Sequence, residues 1–328
     1  MITNPDGNLH IFMLNVGQGD TTIILSPKGR VMVIDAKNPR KIIDLLDKLG
    51  WDDTIEHLII THPHADHFSG ANRLADPDEY SIEEATFAPF WHEFGMGPPT
   101  YRKLVGKLEK HPITNINFIS GYNRWYPDQI FKEIPGQDPE LDQDAPFLEL
   151  LGPTNGLVRG LESMKVFNTN HLSILSRLSW KNFRMVITGD AQMENWGPFD
   201  NEKLLERKCT ILRAAHHGSS NGTQWERLDR LDPTIIVVSS DPDHGHHLPD
   251  LASAAVFAKF DIAADRFAVI TRDAGTIHVE VRPDRSRQYA YFEDEIDEMV
   301  DINHPQDLNE ISNPTIWADL VKQRVSQL

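Results

Sequence analysis

Six residues constrain this chain more than any others: His62-Pro63-His64-Ala65-Asp66-His67, with three imidazoles and one carboxylate among them. They follow Glu56-His57-Leu58-Ile59-Ile60, a short apolar run with the character of a buried strand. A strand that ends in a tight loop aims alternate side chains at one point, as a metal ion requires. His62 and His64 form one ligand set, and the adjacent Asp66 and His67 begin a second. Imidazole suits zinc, and a carboxylate also suits manganese or iron. A histidine-rich surface loop is the plainer alternative, but so dense a pattern rarely arises without a metal. The fold must therefore bring further ligands to the end of this strand.

The surrounding pattern is suited to that. Residues 9–16, 21–25 and 31–34 read as strands separated by the turns Gly17-Gln18-Gly19-Asp20 and Ser26-Pro27-Lys28-Gly29. Asn38-Pro39 opens a helix, Ile42, Ile43, Leu45, Leu46 and Leu49 recur along one face, and Gly50 closes it. The stretch 75–161 is less regular and rich in Pro, Gly and aromatics, with a helix near 101–110 and short strands near Asn117 and Phe147. Such a segment suits a wall or lid. Its aromatics either stack on nucleobases or fill a satellite core.

Strand-helix alternation then resumes. Strands over 172–175 and 183–187 lead to Thr188-Gly189-Asp190, and a polar helix is expected near 201–208. A strand over 209–215 runs into His216-His217-Gly218-Ser219, and one over 235–238 ends before Asp243-His244-Gly245-His246-His247. A helix over 251–259 precedes a hairpin-like pair, 268–271 with 276–281. The pattern is that of an α/β sandwich, in which strand ends converge on one crevice. We place one α/β domain at 1–283 and an acidic tail at 284–328. The tail carries the run Glu293-Asp294-Glu295-Ile296-Asp297-Glu298 and a last helix at 314–325, which packs back or docks a protein partner.

Composition narrows the partners. A formal net charge of −17 repels a polyanion, which argues against avid non-specific DNA binding but leaves room for a phosphodiester at a metal centre. Cys209 is the only cysteine, so no internal disulfide forms and a reducing compartment is expected. No apolar run is long enough to span a bilayer and no secretory signal is visible, so the expected location is cytoplasmic.

The candidate metal ligands are His62, His64, Asp66, His67, Asp190 and one histidine of the 216–217 pair. His216 is preferred because it leaves the strand first; His217 would contact substrate or pack beneath. A carboxylate such as Asp190 can bridge two cations about 3.5–4 Å apart, the spacing at which one water serves as nucleophile. Asp66 would orient that water, and His246 would donate to a developing oxyanion or protonate the leaving group. Asp20 either fixes the tautomer of a ligand histidine or caps a turn. Ser219 and Ser220 either hydrogen-bond a phosphate or cap the next helix.

The His62-x-His64-x-Asp66-His67 loop resembles the signature of the metallo-β-lactamase superfamily. Asp35 resembles that superfamily's first motif and Asp190 its bridging aspartate. More narrowly, several pieces resemble the hydrolase domain of the ComEC competence proteins: Val16-Gly17-Gln18-Gly19-Asp20, Thr188-Gly189-Asp190, His216-His217-Gly218-Ser219, Gly245-His246 and Thr271-Arg272-Asp273-Ala274-Gly275. The resemblance implies a four-layer αβ/βα sandwich and a hydrolase using two divalent ions, Zn2+ or Mn2+. It also implies nuclease or phosphodiesterase activity on DNA or a nucleotide; an ester, thioester or lactam is the alternative substrate. Two departures stand out. Asn15 replaces the usual aspartate before Val16, and His171 lies two residues before Ser173, where ordinary members place a ligand histidine four before a serine. His171 is therefore either a ligand to the first metal or a polar residue lining the site.

Overall fold

The computed structural model describes residues 5–51, 54–76, 80–89, 99–111, 114–125, 127–128, 145–162, 168–201, 208–223, 225–261, 266–292, 300–302 and 314–326. The chain opens with β1 (Leu9–Met13), β2 (Thr21–Leu25), β3 (Val31–Ala36), β4 (Thr54–Ile60), β5 (Ser81–Phe87) and β6 (Asn115–Phe118). Next come β7 (Tyr122–Trp125), β8 (Phe147–Leu151), β9 (Leu175–Trp180), β10 (Phe183–Ile187), β11 (Ile211–Arg213), β12 (Ile235–Val238) and β13 (Phe267–Ile270). β14 (Thr276–Val281), β15 (Arg287–Phe292) and β16 (Val300–Ile302) complete the series.

Two sheets result, ordered β16-β15-β14-β1-β2-β3-β4-β5-β6 and β13-β12-β11-β10-β9-β8-β7. Leu9, Ile11, Ile24 and Met32 of the first meet Leu148, Leu178, Met185 and Ile187 of the second in one apolar layer. The opposite face of the first sheet packs Val31, Val33 and Leu58 against Ile42 and Leu46 of the helix Pro39–Lys48 and Leu104 of the helix Pro99–Leu108. The second sheet's outer face packs Val186, Ile236 and Val238 against Ala254 and Phe257 of the helix Leu251–Asp261. Strands buried on both faces read as continuous apolar runs, which is why β2, β3 and β12 stand out in the sequence. The architecture is the expected α/β sandwich, helix-sheet-sheet-helix.

The first helix forms for the reasons its sequence suggests. The Asn38 side chain accepts from Lys41 N at 3.4 Å, Pro39 sits in the first turn, and Gly50 follows at φ +63°. Elsewhere the structure corrects the reading. Residues 169–172 form a single 3₁₀ turn, and β9 begins only at Leu175. The Asn168 side chain accepts from Asn170 N at 3.1 Å and so competes with strand pairing there. A helix spans Met193–Asn201, and the polar helix expected near 201–208 falls mainly on residues 202–207, outside the described residues. β13 and β14 are no hairpin: β13 pairs with β12 in the second sheet, and β14 with β1 in the first. The turn Thr271–Ala274 carries the chain from one sheet to the other.

The irregular stretch 75–161 contributes two strands to each sheet, β5 and β6 to the first and β7 and β8 to the second. Of its aromatics, Phe90, Trp91 and Tyr126 lie outside the described residues. Beyond residue 283, β15 and β16 extend the first sheet. The helix Pro314–Ser326 packs back on the second layer: Trp317 is buried, its ring is 5.2 Å from that of Phe257, and Nε1 donates to the Ala268 carbonyl at 2.9 Å. The acidic run 293–298 lies outside the described residues. Among the described residues no helix is long and apolar enough to cross a membrane.

The parallel strands β3 to β6 and β10 to β13 deliver their carboxyl ends to the same rim. There the sheets are stitched together: Ile174 N donates to Thr61 O at 3.0 Å, and Ser239 Oγ donates to Gly19 O at 2.7 Å.

Candidate metal centre

β4 ends at Ile60, and Thr61 is held by the strand beside it. Its amide and hydroxyl donate to Asp35 Oδ1 at 2.8 and 3.0 Å. Asp35, at the end of β3, has a left-handed backbone (φ +57°), which turns its carboxylate toward the loop. The loop then runs into the short helix Ala65–Phe68, which buries His67. His67 donates from Nδ1 to Asp35 Oδ2 at 2.7 Å, so Nε2 keeps its lone pair for the opposite side.

That side is filled by Asp190. It follows β10 through Gly189, whose left-handed backbone (φ +50°) lies so close to Thr61 that a Cβ would stand 2.7 Å from Oγ1. Asp190 is buried between two groups of histidines. Its Oδ1 lies 3.1 Å from His67 Nε2 and 3.3 Å from His217 Nε2. Its Oδ2 lies 3.4 Å from His62 Nε2, 3.7 Å from His216 Nε2 and 3.9 Å from His64 Nδ1. Asp66 Oδ2 stands 3.3 Å from His217 Nε2. Two triads result, each with its ligand atoms within 4.8 Å of one another: His62-His64-Asp190 and Asp66-His67-His217.

The preference for His216 over His217 does not carry over to the Asp66-His67 side, where the structure seats His217. Both residues adopt φ +52° in the turn Ala215–Gly218. Strand alternation therefore does not continue into them, and which residue leaves the strand first says nothing about where each ring points. His217 is buried and donates from Nδ1 to the Ser239 carbonyl at 2.8 Å. Asp20, expected to fix a tautomer or cap a turn, lies 3.7 Å from the same Nδ1 and accepts from Arg213 Nη2 at 2.9 Å.

The electrostatics follow from burial against this concentration of charge. Burial pushes His62 down to about 3. Burial also opposes charge on His67 and His217, but the carboxylates around them win. His67 is held well above its usual range by Asp190 and Asp35, and His217 rises to about 9 beside Asp190 and Asp66. Burial works against the anions of Asp66 and Asp190 too, yet the neighbouring histidines hold both below the usual carboxylate range. For Asp35 burial wins and raises it. The site thus recruits positive charge to Asp190. His62 Nε2, His67 Nε2, His217 Nε2 and Asp190 Oδ1 are all buried without a hydrogen-bond partner, a costly arrangement unless a cation accepts their lone pairs. The donor set fits divalent metal.

Other candidates lie apart. His246 is exposed in the 243–247 loop with its ring 5.1 Å from that of His244, outside the buried cluster, because residues 243–247 leave the sheet into solvent. His171 turns its Nε2 to Gln192 Oε1 (3.1 Å) and Glu194 Oε2 (3.2 Å). Ser219 and Ser220 follow His217; Ser220 N donates to Asp250 Oδ2 at 2.6 Å, and Ser219 O accepts from Gly222 and Thr223. Sequence reasoning missed Thr61, Arg213, Ser239 and Asn170. Arg213 alone had a visible signal, a cation at the end of an otherwise apolar strand run.

Residues 14–241 match the model of the metallo-beta-lactamase superfamily. Among solved structures, the diiron β-hydroxylase CmlA from Streptomyces venezuelae is similar at 11% identity and TM-score 0.47, over 78% of this chain and 51% of that one. The chain thus spans about half the length of CmlA. The metallo hydrolase Igni18 from Ignicoccus hospitalis is similar at 14% identity and TM-score 0.46, over 87% of this chain and 100% of that one. Zn2+-bound PqqB from Methylobacterium extorquens is similar at 10% identity and TM-score 0.39, over 62% and 71%. No curated protein matches the chain.

Proposed function

The chain belongs to the metallo-β-lactamase superfamily, and on that premise we propose that it is a metal-dependent phosphodiesterase or nuclease acting on DNA or a nucleotide-containing substrate. The observation that carries the hydrolytic reading is the Asp190 carboxylate, with two sets of imidazole nitrogens divided between its oxygens. The superfamily binds divalent metals, typically two, and Zn2+ or Mn2+ suits these donors. When bound, such ions lower the pKa of a water and offset charge on the electrophile's oxygen. His62, His64 and Asp190 would hold one ion; Asp66, His67, His217 and Asp190 the other. Asp66, the most exposed carboxylate of the two triads, stays ionised and can accept a proton from the attacking water and aim it. Asp35 and Ser239 hold the His67 and His217 rings in the ligating tautomer.

The phosphodiester direction is supported by the competence-type motifs at 16–20, 188–190, 216–219 and 271–275. The net charge of −17 favours a second reading, hydrolysis of an ester, thioester or lactam. A cytoplasmic setting is supported by Cys209, buried with its thiol pushed up to about 12 by burial and so unsuited to disulfide exchange.

The test is incubation of purified protein, with Mn2+ or Zn2+, with bis(p-nitrophenyl) phosphate, single-stranded and linear duplex DNA, a chromogenic lactam and a p-nitrophenyl ester. An Asp66→Ala, His67→Ala double variant runs alongside. Metal-dependent phosphodiester cleavage that the double variant lacks is the expected result. Turnover of carbonyl substrates alone would overturn the phosphodiester reading in favour of the second.

A further inference from the structure

We infer that His216 supplies the third nitrogen of the first metal position, with His62 and His64, while its neighbour His217 serves the second. The inference rests on the two-metal reading above and deepens it. Its first support is the division of Asp190. His62, His64 and His216 all face Oδ2, whereas His67 and His217 face Oδ1.

The second support is the tautomer of His216. Asn221 Oδ1 lies 2.8 Å from His216 Nδ1 and can only accept, so Nδ1 carries the proton. Asn170 Nδ2 lies 3.2 Å from Nε2 and can only donate, so Nε2 carries the lone pair. Two amides on different loops thus specify one tautomer, with the lone pair on Nε2, 3.7 Å from Asp190 Oδ2, where an ion would take the place of the Asn170 contact. A ligand histidine needs this kind of outer partner. His64 Nε2 shares a hydrogen bond with the Thr169 hydroxyl, which can donate or accept, and its Nδ1 is the nitrogen on the inward side.

Backbone shape explains how adjacent residues serve both positions. In a regular strand, consecutive side chains point to opposite faces. With φ +52° at each, the His216 and His217 rings instead stand 6.4 Å apart at 59°, one on each side of the same carboxylate. Such strain in two non-glycine residues persists where the surroundings demand it. The third-motif histidine does not compete, because His171 is held at Gln192 and Glu194.

Exposure adds a consequence. The His64 and His216 side chains are 40% and 21% exposed, against 0% and 2% for His67 and His217. The first position would therefore be open to solvent at these two side chains, while its His62 is fully buried and Asp66 of the second position is 27% exposed.

The experiment is equilibrium dialysis against Zn2+ with elemental analysis, together with the visible absorption of Co2+-loaded protein. Wild type is compared with His216→Asn, His171→Ala and Asn221→Ala, each checked for a native melting transition. Asparagine tolerates the left-handed backbone, so His216→Asn keeps the turn. We expect two equivalents in wild type and His171→Ala and one in His216→Asn, with loss of one Co2+ band set. Asn221→Ala should bind its more weakly held equivalent roughly 10- to 100-fold less tightly. Two equivalents retained in His216→Asn, or one lost in His171→Ala, would overturn the assignment. A wild type that binds two ions but cleaves no phosphodiester defeats only the substrate reading; one that binds none defeats both.

Discussion

At the scale of single residues, the site is a set of tautomers fixed by carboxylate, amide and carbonyl partners. Asp35 shows how much one atom decides. Its Oδ2 accepts from His67 Nδ1, and Asp35→Asn would place an amide N–H₂ there or force a flip that disturbs Thr61. The first outcome favours the tautomer that blocks Nε2; the second keeps Nδ1 donating but turns an N–H₂ against the Thr61 amide and so displaces the carboxamide that orients the ring. Because Asn accepts φ +57°, the backbone should survive the change. The expected loss is about 10- to 100-fold in Zn2+ affinity, measured by competition with a chromophoric chelator; unchanged affinity would refute the role given to Asp35. The cluster at His62–His67 is visible in the sequence because its residues are neighbours. The split of the His216-His217 pair is not, since it depends on the sign of φ at two positions that any histidine could occupy in either form.

At the scale of elements, glycines let strand ends meet. A Cβ on Gly19 would stand 2.5 Å from the Asp66 carbonyl, on a backbone at φ +136°. Gly19→Ala should therefore shift Asp66 and weaken metal binding as well as lower stability, by about 1–3 kcal/mol in urea melts. Asn38→Ala removes only the cap of the helix Pro39–Lys48. It should cost about 1 kcal/mol and leave metal affinity intact. Equal effects of both variants on metal affinity would contradict this separation. Elements with strong periodicity or continuous apolar runs were legible: β2, β3, β10, β12 and the capped first helix. β5 and β7 were not, because Ser-Ile-Glu-Glu-Ala-Thr-Phe and Tyr-Asn-Arg-Trp owe their pairing to neighbouring strands rather than to their own pattern.

At the scale of the whole molecule, metal and protons both act on stability. Ions that bind only the folded chain stabilise it by mass action, about 4 kcal/mol at a thousand-fold excess over Kd. Chelation should therefore lower Tm, and restored Zn2+ should recover it; a Tm indifferent to chelation would argue against the centre. Protons act away from the site through His57, which burial holds down to about 3. Its Nδ1 is buried without a partner and its Nε2 lies 2.8 Å from Thr86 Oγ1. The folded state keeps it neutral while the unfolded chain protonates it below about 6.5, so stability falls as pH drops from 6.5 toward 3. His57→Gln removes this sensitivity. The stability difference between variant and wild type should move in the variant's favour by about 1.4 kcal/mol between pH 7.5 and 5.5. What the sequence by itself determined was the α/β class and a ligand-rich set of strand ends, because apolar periodicity and clustered imidazoles are local properties. Only the tertiary structure decided which histidine meets which oxygen of Asp190. It also placed Arg213 across the sheets on Asp20 and Thr21, and turned His171 aside. These contacts join residues far apart in the chain, and only the packing of the two sheets against each other sets their distances and dihedrals.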